Sequence, residues 1–458
     1  MTAGLNALTG CVKDLRERGR PEVRAVCLSG TMGSVIPLDS SGNLLANAII
    51  WADLRCSPDC IDAKARLDED ATYRDTGTQI HSLYLGPKLA WLKRARPSLY
   101  KRASRFVSTK TYFLLKTTGL ALLDRSIASG TGLLSTSGRG WNRDWTGYLD
   151  FDPASLGELV EPTETVRFRP EVARSVGIDP ATPVLVGATD GMLSNLGVGA
   201  VRPGVFGAML ATSGAFRTVR REPLLHPERK TWAIYLAEGL WVCGASVNSG
   251  GIVYRWLRDT FFREEAAQLE SRGEDGYEAV NRAAAEAPPG AGGLLMLPYL
   301  AGERSPNWNV DARGVVVGLS LSHDRRHLAR AAMEGISIHF AQVARSLFEI
   351  CGPAVEVRAT GGFRKSPLWV GMVADAMGQE LALTPNVDAS GLGAVLLGMR
   401  SLGDLKSLEV AAELIPVEER VAPDPARSQT YAAVSQLYER VYEALSPEFG
   451  RIASAALV

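Results

Sequence analysis

Four times in this chain an apolar run of strand length ends in small residues and a glycine: VCLSGTMG, MLATSGAF, VNSGGIVY and VRATGGFR. A run without polar alternation is buried on both faces, so these segments predict an α/β architecture whose strands are covered by helices. A glycine turn after a strand can aim successive backbone amides at an anion, and four of them point towards nucleotide phosphates. Glycine is also the ordinary residue for turning a chain, so no single instance decides the matter. A fifth run, VLVGATDGMLSNLGVGA at residues 184–200, ends in a lone carboxylate, Asp190, beside Gly191. Such a carboxylate either meets a small molecule at the strand mouth or caps the helix that starts near Met192.

A chain of 458 residues is too long for one hydrophobic core, which predicts two domains, 1–196 and 197–458, around a cleft. Its 50 basic and 50 acidic residues balance, leaving no general field to draw nucleic acid or an acidic membrane. The cysteines are scattered, and the close pair Cys56 and Cys60 has no second pair or histidine at zinc-finger spacing. Reduced thiols and a cytoplasmic protein are the expectation. The N-terminal segment becomes charged before a signal-length apolar core develops, and no run approaches the roughly 20 apolar residues of a membrane span. Secretion and membrane insertion are therefore not expected. His323 and His327 stand four apart without a third ligand nearby, so no metal held by the protein alone is expected.

Apolar residues from Leu328 to Ile350 recur at spacings of three and four, predicting a helix with Asp324 as N-cap. A second helix carries Tyr431, Val434, Tyr438, Val441 and Leu445, with Pro447 expected just past its end. EAPPGAGG reads as a loop before the strand LLMLPYL, and PVEERVAPDPARS reads as a polar connector.

The segment ARGVVVGLSLSHDRRHLARAAMEGI, residues 312–336, closely resembles the C-terminal signature of the FGGY carbohydrate kinases. TGTQIHSLYLGPKLAWLKRARP, residues 76–97, resembles the N-terminal signature, with Leu85 departing from the small residue or proline usual there. The Ile-His pair, SGTGLL and YLAGERSPNWNVDARG are similar to the gluconate-kinase branch. The resemblance runs from about residue 20 to residue 445. It implies two ribonuclease-H-like domains of the actin and hexokinase type, with a sugar and ATP meeting between them. It also implies that Asp190 is the general base that takes the proton from the attacking sugar hydroxyl.

Residue by residue, ATSGAF resembles the second phosphate motif, which implies that Thr212, Ser213 and Gly214 line the ATP phosphates. Ala211 stands there in place of the usual glycine, and the turn is expected to survive it. ATGGFRKSPLWVGMVADAMG resembles the adenosine motif, implying that Gly361, Gly362 and Ser366 meet the nucleotide, and Gly251 matches another glycine on that side. On the sugar side the resemblance implies Met32, Trp51, Asp53 and Arg55 as contacts, with Arg55 able to hold a substrate carboxylate. Asp53 and Arg55 also read as a plain solvated ion pair. Met32 is followed by Gly33 where relatives carry a polar side chain. His81 either faces the acid group of a sugar acid or is a structural histidine.

Relatives in the family open with a strand bearing an Asp-x-Gly-Thr turn, and this sequence has no such motif. The N-terminal domain is therefore expected to lack its opening strands, leaving VRAVCLSG at a sheet edge. A coding sequence extending upstream of Met1 is the expected explanation, and a non-catalytic sugar- or nucleotide-binding descendant is the competing one. The expected activity is ATP-dependent phosphorylation of a sugar acid, D-gluconate to 6-phosphogluconate, with xylulose or another polyol as the alternative. ATP with its magnesium and a small sugar are the expected ligands, and a homodimer is a candidate assembly.

Overall fold

The structure is a computed structural model that describes residues 1–19, 22–138 and 140–455. Its largest sheet has seven strands, in the spatial order Trp232–Ala237, Leu240–Val247, Gly214–Arg220, Val205–Leu210, Glu356–Thr360, Leu381–Leu383 and Glu419–Val421. The first four run antiparallel to their neighbours, and the next two join them in parallel. That antiparallel-then-parallel order is the ribonuclease-H-like plan. The last strand lies in the segment expected to be a polar connector. It has no apolar run to announce it because it is a short edge strand with exposed Glu419 and Arg420.

Helix Arg325–Cys351 covers one face of this sheet and is buried along most of its length. Asp324 caps it, with His327 completing the reciprocal capping box, so one histidine of the sequence pair serves the helix start. Beneath it Phe206 stacks on Phe216 with centroids 5.2 Å apart, and Phe340 and Phe348 meet that pair edge-on. The C-terminal helix, Pro425–Ala455, continues through Pro447 rather than stopping before it. Burial of Tyr431, Tyr438, Tyr442 and Phe449 along the helix outweighs the one backbone hydrogen bond that proline removes.

In the N-terminal part, Val26–Gly30 pairs in parallel with Val184–Thr189, which also takes Thr165–Val166 on its other side. Val26–Gly30 is thus an edge strand, with helix Ala389–Ser401 packed against it through Ser29 and Ser390, whose hydroxyls lie 2.8 Å apart. The same helix grips Asp190–Gly197. Gly197 abuts the Ala389 carbonyl and Gly393 abuts the Leu193 carbonyl, so a side chain at either position would hold the helices apart. This packing fixes where Asp190 stands. Among the described residues no helix is long and apolar enough to cross a membrane.

Candidate active site

Every residue of the strand Val184–Thr189 is buried. At its end Thr189, not Asp190, caps the next helix, its hydroxyl accepting the Met192 amide at 3.4 Å. Capping is therefore assigned elsewhere, and Asp190 becomes the first residue of helix Asp190–Gly197. Its Oδ1 accepts the Gly191 amide at 2.8 Å, and the positive end of the helix favours the carboxylate. Burial pushes the carboxyl above its ordinary value, opposed by the Gly191 amide and by the charges of Arg217 and Lys110. Lys110 itself is committed behind the strand, 2.8 Å from Asp124 and 3.2 Å from the Ala188 carbonyl.

Asp190 opens on a cavity of about 170 Å³, which Met32, Trp51 and Ser213 also line. A second cavity, of about 260 Å³, is lined by Thr212, Gly251, Gly362 and Ser366. The turn at residues 211–213 separates the two: Thr212 faces one and Ser213 the other. This turn is closed by the Ala211 amide on the Ser213 carbonyl at 2.8 Å, and it is braced by the Gly251 amide on the Ala211 carbonyl at 2.6 Å. Ala211 is outside the left-handed region, so a methyl group is tolerated where the family has glycine.

Glycines around the turn have steric reasons to be glycine. A Cβ on Gly251 would lie 2.8 Å from the Ala211 carbonyl oxygen, and one on Gly214 would lie 2.8 Å from the Leu210 side chain. Gly361, at φ +113, presses on the Leu210 carbonyl, leaving no room for a side chain. Ser366 caps helix Pro367–Met377 by accepting the Trp369 amide at 3.2 Å and donates to Asn281 Oδ1 at 2.7 Å. Tyr254 also donates to Asn281 Oδ1, and it stacks on Tyr277 with centroids 4.8 Å apart. Trp369 lies against Tyr254 at the same separation, and its indole N–H is buried without a partner. An aromatic wall with an unused donor, beside glycines that a Cβ would fill, fits a purine nucleotide. Among the described residues no group of three His, Cys, Asp or Glu side chains is placed to hold a metal ion.

Not every expected sugar contact gathers at Asp190. Arg55 holds Asp53 at 2.7 Å and lies over Trp91 at 5.0 Å, and it lines a separate outer cavity with that tryptophan. In the segment between Trp51 and helix Ser57–Arg66 the ring of Trp51 reaches the Asp190 cavity while Arg55 is on the outer one. Arg55 keeps the Asp53 carboxyl below its ordinary value, as an ion pair does. His81 is buried, accepts the Leu83 amide on Nδ1 at 3.0 Å and lies edge-on to Trp308 at 5.3 Å. Burial brings its pKa down to about 3, so the ring is neutral. It stands behind Trp308, which lines the Asp190 cavity. Gly33, at φ +69, abuts the Leu83 carbonyl and the Trp51 Cβ, so this backbone admits no side chain next to Met32.

Arg217, Arg304, Trp308 and Tyr84 complete the Asp190 cavity without having been picked out as site residues in the sequence. Arg217 carried a signal, a cation inside the otherwise apolar strand AFRTV, and Arg304 carried one in the charged pair of YLAGERSPNW. Nothing in the spacing of the chain joins these two segments.

Two family models match this chain: the N-terminal domain of the FGGY family of carbohydrate kinases over residues 2–197, and its C-terminal domain over residues 208–402. A gluconokinase of Bacillus licheniformis is 35% identical over 431 residues, which is 94% of this chain and 84% of that protein. The crystal structure of a gluconate kinase from Lactobacillus acidophilus superposes with a TM-score of 0.90 at 30% identity, covering 98% of this chain and 89% of that one. A ligand-bound xylulose kinase from the same organism superposes with a TM-score of 0.91, also at 30% identity, covering 98% and 90%.

Proposed function

The chain belongs to the FGGY family of carbohydrate kinases, and on that premise we propose that it phosphorylates D-gluconate with ATP, Asp190 being the general base. The observation that carries this reading is the turn at residues 211–213, with Thr212 in an aromatic-walled cavity and Ser213 in the cavity of a half-buried carboxylate. A phosphoryl donor on one side of that turn and an alcohol on the other would meet across it.

Bound ATP supplies the γ-phosphoryl group. The protein's share of the work is positioning and proton transfer. Asp190 Oδ1 is occupied by the Gly191 amide, which leaves Oδ2 to accept the proton as the sugar oxygen attacks. Burial strengthens that oxygen as a base by raising the carboxyl's pKa. Small residues in the turn let its backbone approach the phosphates closely. Trp51 offers the C–H face of the sugar an apolar surface, and the residue is still 44% exposed, consistent with an entrance that a ligand covers.

Gluconate takes precedence because gluconokinases lead the relatives by identity. A xylulose kinase remains the second reading, since a xylulose kinase structure superposes as well as a gluconate kinase structure does. ADP release measured across a panel of sugars and sugar acids separates the two. Turnover of gluconate is expected, and turnover of xylulose with none of gluconate overturns the choice. ATP and gluconate binding with no phosphoryl transfer would instead favour a non-catalytic binding protein.

A further inference from the structure

Most buried cations in this fold have an acid at hand, one exception being Lys88, which donates to the Leu83 carbonyl at 2.8 Å. Lys110 pairs with Asp124 at 2.8 Å, Arg330 with Glu334 at 2.6 Å and Arg358 with Glu356 at 2.8 Å. Arg217 and Arg304 do not follow this pattern. Arg217 donates to the Ser194 hydroxyl at 2.8 Å and lies 5.9 Å from the centre of the Trp232 ring. Arg304 donates to the Val247 carbonyl at 2.9 Å. Among the described residues neither guanidinium has a carboxylate within ion-pair distance, and the Nε of each is buried without a partner.

Two further polar groups on the same cavity wall, the Trp308 indole N–H and the Tyr84 hydroxyl, are likewise buried and unpartnered. Four unmet polar atoms on residues lining one small space concentrate there a demand for a polar partner. Charge narrows the ligand further. Among the described residues Asp190 is the one acid on the cavity wall, so two guanidinium groups face a single carboxylate and the space keeps a positive excess. Burial lowers both guanidinium pKa values, to about 10, and each group stays charged at neutral pH. Two like charges in so small a space favour an anion between them.

The arrangement is held ready from behind. Trp308 has φ +56, a conformation that non-glycine residues rarely adopt. The Glu303 carboxylate holds its loop by accepting from Asn307 at 2.8 Å and from Tyr442 at 2.6 Å. Neutral His81 packs against the Trp308 ring.

We infer that Arg217 and Arg304, with the Trp308 N–H, form the subsite for the carboxylate of an acidic sugar, and so select a sugar acid over a neutral polyol at the Asp190 cavity. The inference rests on the reading that this cavity receives the sugar. It moves recognition of the acid from Arg55, at an outer surface already paired with Asp53, to the two cations that have no such partner. A guanidinium offers a carboxylate parallel donors, which an alcohol in the same place cannot use fully.

The test compares D-gluconate with D-glucitol, which has the same carbon chain with an alcohol in place of the carboxylate. Binding of each to the full chain is measured by calorimetry without nucleotide, and KM for ATP is measured with gluconate. The wild type is expected to hold gluconate at least about tenfold more tightly than glucitol. Arg217→Gln is expected to weaken gluconate about a hundredfold, the scale for removing one partner of a buried charge pair. Glucitol affinity and KM for ATP should stay within about threefold. Equal losses for gluconate and glucitol, or a large rise in KM for ATP, overturn the inference and hand the arginines to the polyol or the phosphoryl group. If Arg217→Gln does not fold, Trp308→Phe keeps an aromatic ring but removes the indole N–H along with part of the ring, and the same selective loss for gluconate over glucitol, about fivefold, is required of it. A wild type that binds gluconate selectively but transfers no phosphate to any sugar overturns the kinase reading and keeps the subsite. A wild type that phosphorylates polyols with no preference for the acid overturns the subsite and keeps the kinase.

Discussion

The cavity beside Thr212 and the cavity beside Asp190 share one wall, the turn at residues 211–213, and differ in what the remaining walls are made of. On the Thr212 side glycines are pressed against backbone: Gly251 on Ala211, and Gly361, next to the lining Gly362, on Leu210. On the Asp190 side stand long polar side chains, Arg217, Arg304 and Trp308, held over a small space. Backbone and glycine suit a ligand part common to many enzymes, because amides bind any phosphate in the same way. Long side chains suit the part that varies, because charge and reach change with a single substitution. The contrast also separates the two sides by chemistry. The Asp190 side places its one carboxyl at the reacting position, whereas the glycines and amides of the Thr212 side do not titrate.

Asp190→Asn breaks the side-chain wall at its most consequential atom. Turnover is expected to fall at least about a hundredfold, the usual share of a general base, with little change in gluconate binding. Initial rates together with calorimetry check both halves. In the wild type kcat/KM should fall with acid, on a limb displaced upward from the ordinary aspartate range, because the base is lost as pH drops through a raised pKa. Stability moves the other way. A carboxyl whose folded pKa is raised favours the fold while protonated and loses that contribution as pH rises through the folded value. Asp190→Asn is therefore expected to melt higher than the wild type at neutral pH in a calorimetric scan.

Gly361→Val attacks the glycine wall instead. It places a branched side chain at φ +113 against the Leu210 carbonyl and should cost about 1 to 3 kcal/mol of stability. KM for ATP should rise about tenfold, about 1.4 kcal/mol, with KM for gluconate unchanged. A shift in the sugar constant instead would show that the two walls are not separable.

Glu303→Gln sharpens the comparison through pH. Burial raises the Glu303 carboxyl from 4.5 to about 7. Its contribution to stability is full below 4.5 and is lost as pH rises through about 7. Melting temperatures at pH 5 and pH 8 should therefore diverge in the wild type and draw together in Glu303→Gln. Equal slopes in the two proteins would mean that Glu303 does not titrate in this range. Arg55→Ala is expected to do least. Arg55 is already paired with Asp53 at 2.7 Å and is on the outer cavity, surface ion pairs contribute at most about 1 kcal/mol, and KM for gluconate should change less than about threefold. A larger change would return the substrate carboxylate to Arg55.

Much of the architecture was legible in the chain. Buried strands announced themselves as apolar runs, and Asp324 announced the start of the long helix. Glycines of the nucleotide side stood out because a turn pressed against backbone needs glycine wherever it occurs, so the constraint is local and written in consecutive residues. Pro447 misled because a local helix breaker was overruled by four aromatic residues buried at a distance. Glu419–Val421 was missed because an edge strand has no apolar signature of its own.

By itself the sequence determined the class of fold, the order of the turns and the identity of the lone carboxylate at the end of Val184–Thr189, all properties carried by neighbours in the chain. Only the tertiary structure decided that Thr189 takes the cap and leaves Asp190 free, that Arg55 is on an outer wall, and that Arg217 and Arg304 share a cavity without a counter-ion. The physical reason is range. Propensity and turn chemistry act over a few residues, whereas burial and unmet charge depend on which distant segments the fold brings together.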